Sequence, residues 1–381
     1  MSAIALGLAA QGMSQTYCES AITDRPNVTV LLRAPQPMNN RELGAWQIFA
    51  QGVFDLSADF TRREFFTYGA QGGIPPRVWW TNDFISVQFW LPAGGENLCA
   101  RLADAVLREH RIDEEVLPKL RANVSGFAKD DWTAALYTAR GDVSVDSAFL
   151  NRFFQRALRP ENTTISADPK TIELIRNRLN GWQVPRVQQD LRAGPKNRFS
   201  SPETANITAA IGKPFLPTAN NGPSMLAAVA LGAGKSSTVY QVCRVQQQWS
   251  YRQEFFLWPT VTGWQPRLLL GGSLSSPAIP EIKSKLKEAV GKWQLSDLER
   301  ARNLVSASME GGIPIHPFWC SSVGPFNGTD EQRADWSALM ATWGVRSAAP
   351  EDVDINAKTT NLQELKSAAE ALIDQLQPEI R

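Results

Sequence analysis

Apolar and polar residues alternate over Val28–Arg33, with Val28, Val30 and Leu32 on one side and Thr29, Leu31 and Arg33 on the other, which predicts a strand. A helical stretch follows over Arg41–Gly52, and Phe65–Gly73 then approaches a turn ending in Gly72-Gly73. Val78–Trp80 and Phe84–Leu91 predict a hairpin in which Ile85, Val87 and Phe89 share one face, and Pro92–Gly95 ends it. Leu98, Leu102, Ala105 and Val106 form the apolar stripe of a helix with His110 near its end, and a second helix is predicted over Glu114–Phe127. Asn162–Ala167 reads as a strand and Pro169–Asn180 as a helix closed by Gly181 and Pro185.

After a polar stretch rich in Arg, Gln, Gly and Pro the pattern restarts. Ile207–Ile211 predicts a strand, Pro223–Leu231 a short apolar helix broken by Gly232-Ala233-Gly234, and Tyr251–Leu257 with Arg267–Gly271 a pair of strands. Ile282, Leu286, Ala289, Val290 and Trp293 mark a helix, and Ser296 with Glu299 has the form of a capping box opening the next. A last helix runs from about Asn361 to Gln377, with Leu362, Leu365, Ala369, Leu372 and Leu376 inward. The succession strand, helix, hairpin, helix, helix occurs twice, a repeat of roughly 190 residues. The expected fold is α+β: two homologous halves, each a mostly antiparallel sheet with helices packed on one face. The expected boundaries are 1–186 for the N-terminal half, 187–204 for the linker and 205–381 for the C-terminal half.

The 381 residues suit two domains, and an apolar share of 43% gives each half a sizeable core. Thirteen tryptophans favour deep cores or a large protein interface. Thirty-nine basic against 38 acidic residues leave a net charge of +1, so no overall field draws the chain to nucleic acid or anionic lipid. No apolar run approaches the ~18 residues of a membrane-spanning helix. Ala3–Ala10 (AIALGLAA) reads either as the end of a secretory signal or as a short N-terminal helix; the first reading leans towards a periplasmic or exported protein. Cys18, Cys99, Cys243 and Cys320 stand far apart with no C-x-x-C pair, which argues against a local zinc-finger or redox motif and leaves their disulfide state open.

Pro223–Tyr251 (PSMLAAVALGAGKSSTVYQVCRVQQQWSY) carries the most specific signal. It resembles the second domain of the pitrilysin/insulinase-like metallopeptidases, mitochondrial processing peptidases included. Those chains show an apolar helix, a Gly-rich turn ending in Ser-Ser or Ser-Arg, an aromatic residue, and then L-R-x-x-R-G-L-A-Y. Gly232, Gly234, Ser236, Ser237, Tyr240, Arg244 and Tyr251 fall in that register. Weaker similarity lies in Leu158–Ser166 (LRPENTTIS), in Gly72–Val124 and in the helix from Ser296.

The resemblance implies a zinc site built from H-x-x-E-H on a first-domain helix, two histidines binding the metal and the Glu acting as general base. This sequence departs there. The corresponding helix reads LGAWQIFAQGV, with Trp46, Phe49 and Ala50 near the places of His, Glu and His. The chain holds two histidines, His110 and His316, neither with a partner at helical spacing. His110 reads as a solvated residue at a helix C-terminus, and His316 as a loop residue between prolines. The family also places an Arg and a Tyr four apart on the second domain, reaching towards the substrate carbonyl. By register the Tyr is Tyr251, while Gln247 stands at the Arg position, which weakens oxyanion stabilisation.

Gly234-Lys235-Ser236-Ser237 imitates the end of a phosphate-binding loop, but that loop needs a glycine where Val229 stands. No G-x-S-x-G elbow accompanies the serines. The doublets Trp79-Trp80 and Phe255-Phe256 place one aromatic on each face of a strand. They imply either an exposed aromatic surface or sheets covered on both faces.

The resemblance therefore implies a zinc-less chain, with no cofactor of its own and zinc only on a homologous catalytic partner. Its role would be to shape the chamber and bind an extended peptide, with no nucleic acid and no transmembrane segment. Gly232, Gly234, Arg244, Gln247 and Tyr251 are the expected peptide contacts. The alternative is a purely structural scaffold subunit, as relatives are in respiratory complexes. A third is an enzyme with other chemistry.

Overall fold

The structure is a computed structural model, and it describes residues 15–20, 22, 24–108, 110–127, 140–182, 207–216, 222–272, 277–309, 330–345 and 358–378. The expected linker, the Ala3–Ala10 segment, His316 and Cys320 lie outside the described residues.

The first sheet holds β1 (Thr16–Glu19), β2 (Asn27–Arg33), β3 (Arg77–Trp80), β4 (Phe84–Trp90) and β5 (Thr163–Ala167), in the order β1-β5-β2-β4-β3. All pairings are antiparallel except β1 with β5. Helix α1 (Asn40–Gly52) follows β2, α2 (Arg62–Gly69) precedes the hairpin, and α3 (Glu96–Leu107) and α4 (Leu117–Phe127) follow it. Then come α5 (Ser147–Ala157) and, after β5, α6 (Pro169–Arg178).

The second sheet holds β6 (Thr208–Ile211), β7 (Arg252–Thr260), β8 (Gly263–Gly271) and β9 (Gln377–Pro378), in the order β7-β8-β6-β9. Its helices are α7 (Gly222–Gly232), α8 (Thr238–Tyr240), α9 (Ile279–Gly291), α10 (Leu295–Met309), α11 (Asp330–Thr342) and α12 (Leu362–Asp374). The order β3-β4-β2-β5 in one sheet reappears as β7-β8-β6-β9 in the other, with the same antiparallel pairings. The repeat read from the sequence is thus a repeat of topology, and the expected α+β class holds.

The central strands of the first sheet divide their side chains between its two faces, as the two-residue period requires. Val28, Val30 and Leu32, with Ile85, Val87, Phe89, Ile165 and Ala167, join the first-half core beside α1 and α3. The reverse face is unusually polar: Thr29, Ser86, Gln88, Thr164 and Ser166 are all buried there. Helix α11, from the second half, packs against β1, β2 and β5 on this side. Ser86 Oγ donates to Asp335 Oδ1 (2.6 Å) and Thr342 Oγ1 to Thr164 Oγ1 (2.7 Å). Leu31, Trp79 and Phe84 accordingly belong to the second-half core. The first sheet therefore carries helices on both faces, one set its own and one helix borrowed.

Several local expectations are corrected. Phe65–Gly73 is not merely an approach to a turn: Thr61 and Glu64 form a capping box that opens α2. The Ser296–Glu299 box does not form; α10 starts at Leu295, and Asp297 Oδ2 accepts from Gln294 N (2.8 Å). Neither aromatic doublet makes an exposed surface, since Trp79, Phe255 and Phe256 are buried and Trp80 packs against the first core. His110 is not solvated. Its ring lies 5.3 Å from both Phe49 and Phe154, and burial pushes it down to about 4, so it stays neutral. Cys18, Cys99 and Cys243 are free thiols. Among the described residues, no helix is long and apolar enough to cross a membrane.

Candidate functional site

The site that the resemblance assigns to zinc sits on α1, opened by a capping box between Asn39 and Glu42. Every residue from Leu43 to Ala50 is buried. Trp46 donates its indole N–H to Thr81 O (3.0 Å), while Phe49 packs against His110 and Phe154. Gln47 donates to Asn82 Oδ1 (2.9 Å) and accepts from Gly141 N (3.0 Å). The chain at Gly141 and Asp142 crosses the helix at Gly44 so closely that a Cβ on Gly44 would stand 1.9 Å from Asp142 O. A catalytic zinc site needs His or carboxylate ligands around an open position. Trp46, Phe49 and Ala50 supply no ligand atom, so the residues present do not fit the ion. Among the described residues no three His, Cys, Asp or Glu side chains gather as ligands.

The second candidate region begins in α7, whose residues Met225–Leu231 are all buried, as a helix apolar all round requires. It ends at Gly232, where a Cβ would lie 1.9 Å from Phe255 O; only glycine lets the helix seat on β7. Gly234 follows with φ +77°, the left-handed turn that closes the helix, and space around it is open. Ser237 then caps α8, its Oγ accepting from Tyr240 N (3.3 Å).

Helix α8 runs on as a π-helical segment over Gln241–Gln246. Wide turns of this kind are rare and concentrate at functional sites. Gln247 N donates to Val242 O (2.9 Å) and Trp249 N to Cys243 O (2.7 Å), with Gln248 left-handed at φ +54° between them. This unwinding brings Arg244, Gln248, Ser250 and Tyr251 around a hollow of about 230 Å³. The Arg244 guanidinium lies 5.7 Å from the ring centres of both Tyr240 and Tyr251 and donates to Tyr251 O. Ser250 Oγ is buried with no hydrogen-bond partner among the described residues. Tyr251 is 59% exposed and leads directly into β7, the edge strand of its sheet.

Of the five expected contacts, then, Arg244 and Tyr251 meet at one hollow. Gln247 is half-buried at the end of the π segment, outside the residues lining it. Gly232 is committed to helix packing and Gly234 to an open turn. Gln248 and Ser250 were not anticipated; the left-handed backbone that aims them leaves no mark in a Gln-Gln-Gln-Trp-Ser run.

No family model and no curated protein matches this sequence. Solved structures do match in fold. A peptidase M16 inactive domain from Pseudomonas fluorescens superposes with a TM-score of 0.68 at 12% identity, covering 94% of this chain and 93% of that one. A protease from Helicobacter pylori gives 0.66 at 13%, over 93% and 92%. A chain of complex III from Candida albicans gives 0.60 at 11%, over 93% and 89%. At these identities the likeness establishes the fold.

Proposed function

We propose that this chain is the non-catalytic subunit of a two-chain pitrilysin-like zinc peptidase, shaping the chamber and binding extended peptide for a homologous partner that brings the zinc. The observation that carries this reading is helix α1. Its metal-site positions hold Trp46, Phe49 and Ala50, and the helix is encased from Leu43 to Ala50. The likeness to an inactive peptidase domain over nearly the whole chain supports it.

In this reading an extended peptide lies along the free edge of β7, where backbone hydrogen bonds give affinity with little sequence choice. Tyr251, held from beneath by Arg244, stands at the entry to that edge. With Gln247 in place of a cation, the site holds peptide without polarising its carbonyl.

The test is to purify the chain with a homologue bearing H-x-x-E-H and assay peptide hydrolysis by each alone and by both. Activity is expected from the pair only, and Tyr251→Ala is expected to raise the pair's KM about tenfold, the loss of one good contact. Full activity from the partner alone excludes the subunit role.

A purely structural role has two observations in its favour. The Arg244 guanidinium is already occupied by two tyrosine rings and a backbone carbonyl, and the chain also resembles a subunit of complex III. An unchanged KM for Tyr251→Ala would select that reading.

A further inference from the structure

A hollow of about 450 Å³ lies where the β7–β8 turn of the second half meets the first half. Arg33 from the end of β2, Gln36 from the loop that follows, Arg156 from the last turn of α5, Arg159 just beyond it, Glu161 and Thr262 are among its walls. The arginines are largely withdrawn from water: the side chains of Arg156 and Arg159 are 11% and 17% exposed. Two have acidic partners. Arg156 pairs with Glu42 behind the wall and donates to Pro37 O (2.6 Å), and Arg159 lies 3.4 Å from Glu161 Oε1. Arg33 is different. Its Nη2 donates to the backbone carbonyl of Glu161 (3.2 Å), and it has no carboxylate partner among the described residues.

A half-buried guanidinium without a counter-charge is costly unless something anionic completes it. Its planar fork matches the two oxygens of a carboxylate or phosphate, and partial desolvation strengthens such a contact. We propose that this hollow binds a carboxylate or phosphate group, with Arg33 as its principal ligand and Arg159 beside it. The site uses none of the residues assigned to peptide above and stands whether or not the chain works beside a peptidase.

The test is calorimetric titration of the full chain with inorganic phosphate and, separately, with a triglutamate peptide, at matched ionic strength. Saturable binding of one probe identifies the source of the group, an inorganic or ester phosphate in the first case and a peptide carboxylate in the second. Arg33→Gln is expected to weaken that binding about tenfold, the loss of a charged hydrogen bond. Gln36→Glu, which adds a negative charge on an exposed loop and carries the test if Arg33→Gln misfolds, is expected to weaken it as well. Arg63→Gln, at an exposed position of α2, is expected to leave it unchanged. No saturable binding of either probe, or binding unaltered by both hollow variants, overturns the proposal.

Discussion

Two glycines two residues apart do opposite work. Gly232 is forced by contact, with Phe255 O occupying the space of a side chain; Gly234 is forced by backbone conformation, with empty space beyond it. Gly232→Ala must therefore push α7 off β7 and is expected to cost about 3 kcal/mol, the scale of an overpacked core. Gly234→Ala strains only its own φ, at about 1 kcal/mol. Denaturant midpoints of the two variants measure the difference, and equal losses would mean that the helix seats less tightly than described. The same distinction limits what a Gly-rich turn says about substrate: of the two glycines, Gly234 alone presents open backbone.

Among the elements, α11 is the one whose sequence conceals its role. A core helix usually announces itself by an apolar stripe, as Leu365, Ala369, Leu372 and Leu376 do around α12. Helix α11 (DEQRADWSALMAT) buries Ala338, Leu339 and Met340 in the second-half core, but meets the first sheet through Asp335 and Thr342, which pair with Ser86 and Thr164. Polar contacts at those positions leave a short apolar run in place of a full stripe. Helix α5 is a different failure: Leu150, Phe153, Phe154 and Ala157 have helical spacing, and Asp146 caps it. That signal is local and lies in the sequence itself. Strand β1 is four residues long and pairs in parallel with a strand far along the chain, so nothing local marks it. The central strands, the hairpins and α1 are legible because runs of alternating or clustered apolar residues mark them in the sequence.

The contact that fixes α11 carries a prediction of its own. Burial pushes the Asp335 carboxyl up to about 6, against the pull of Arg77 and of the hydrogen bond from Ser86. A raised acid disfavours its charge in the folded state. Its contribution is therefore best below its ordinary value of 3.8, declines as pH rises to about 6, and is flat above. Asp335→Asn keeps an acceptor for Ser86 and is expected to stabilise the protein at pH 7 by up to about 3 kcal/mol, and hardly at all near pH 4. Urea midpoints at the two pH values check this, and a loss of stability at pH 7 would contradict it.

At the scale of the molecule, Asp335 has a counterweight in His110. That ring is held neutral, its pKa lowered from 6.5 to about 4, so its contribution is complete above pH 6.5 and lost as pH falls towards 4. The two effects oppose each other over the same interval, so in the wild type these two contributions are expected largely to cancel from pH 6 to 4. Asp335→Asn should uncover a fall on acidification, and His110→Phe, which suits the pocket between Phe49 and Phe154, should uncover a rise. Slopes of the same sign in both variants would refute the compensation.

The borrowed helix also sets an order of events during synthesis. When the first sheet has left the ribosome, the groups meant to meet Ser86 and Thr164 are still 249 and 178 positions away along the chain. Until α11 emerges, a hydroxyl- and amide-lined sheet face must stay wet. Water can solvate such a face without the stickiness of a bare aliphatic one. The polar groups that α11 meets are thus expected to let a nascent half wait for its other half with less risk of aggregation.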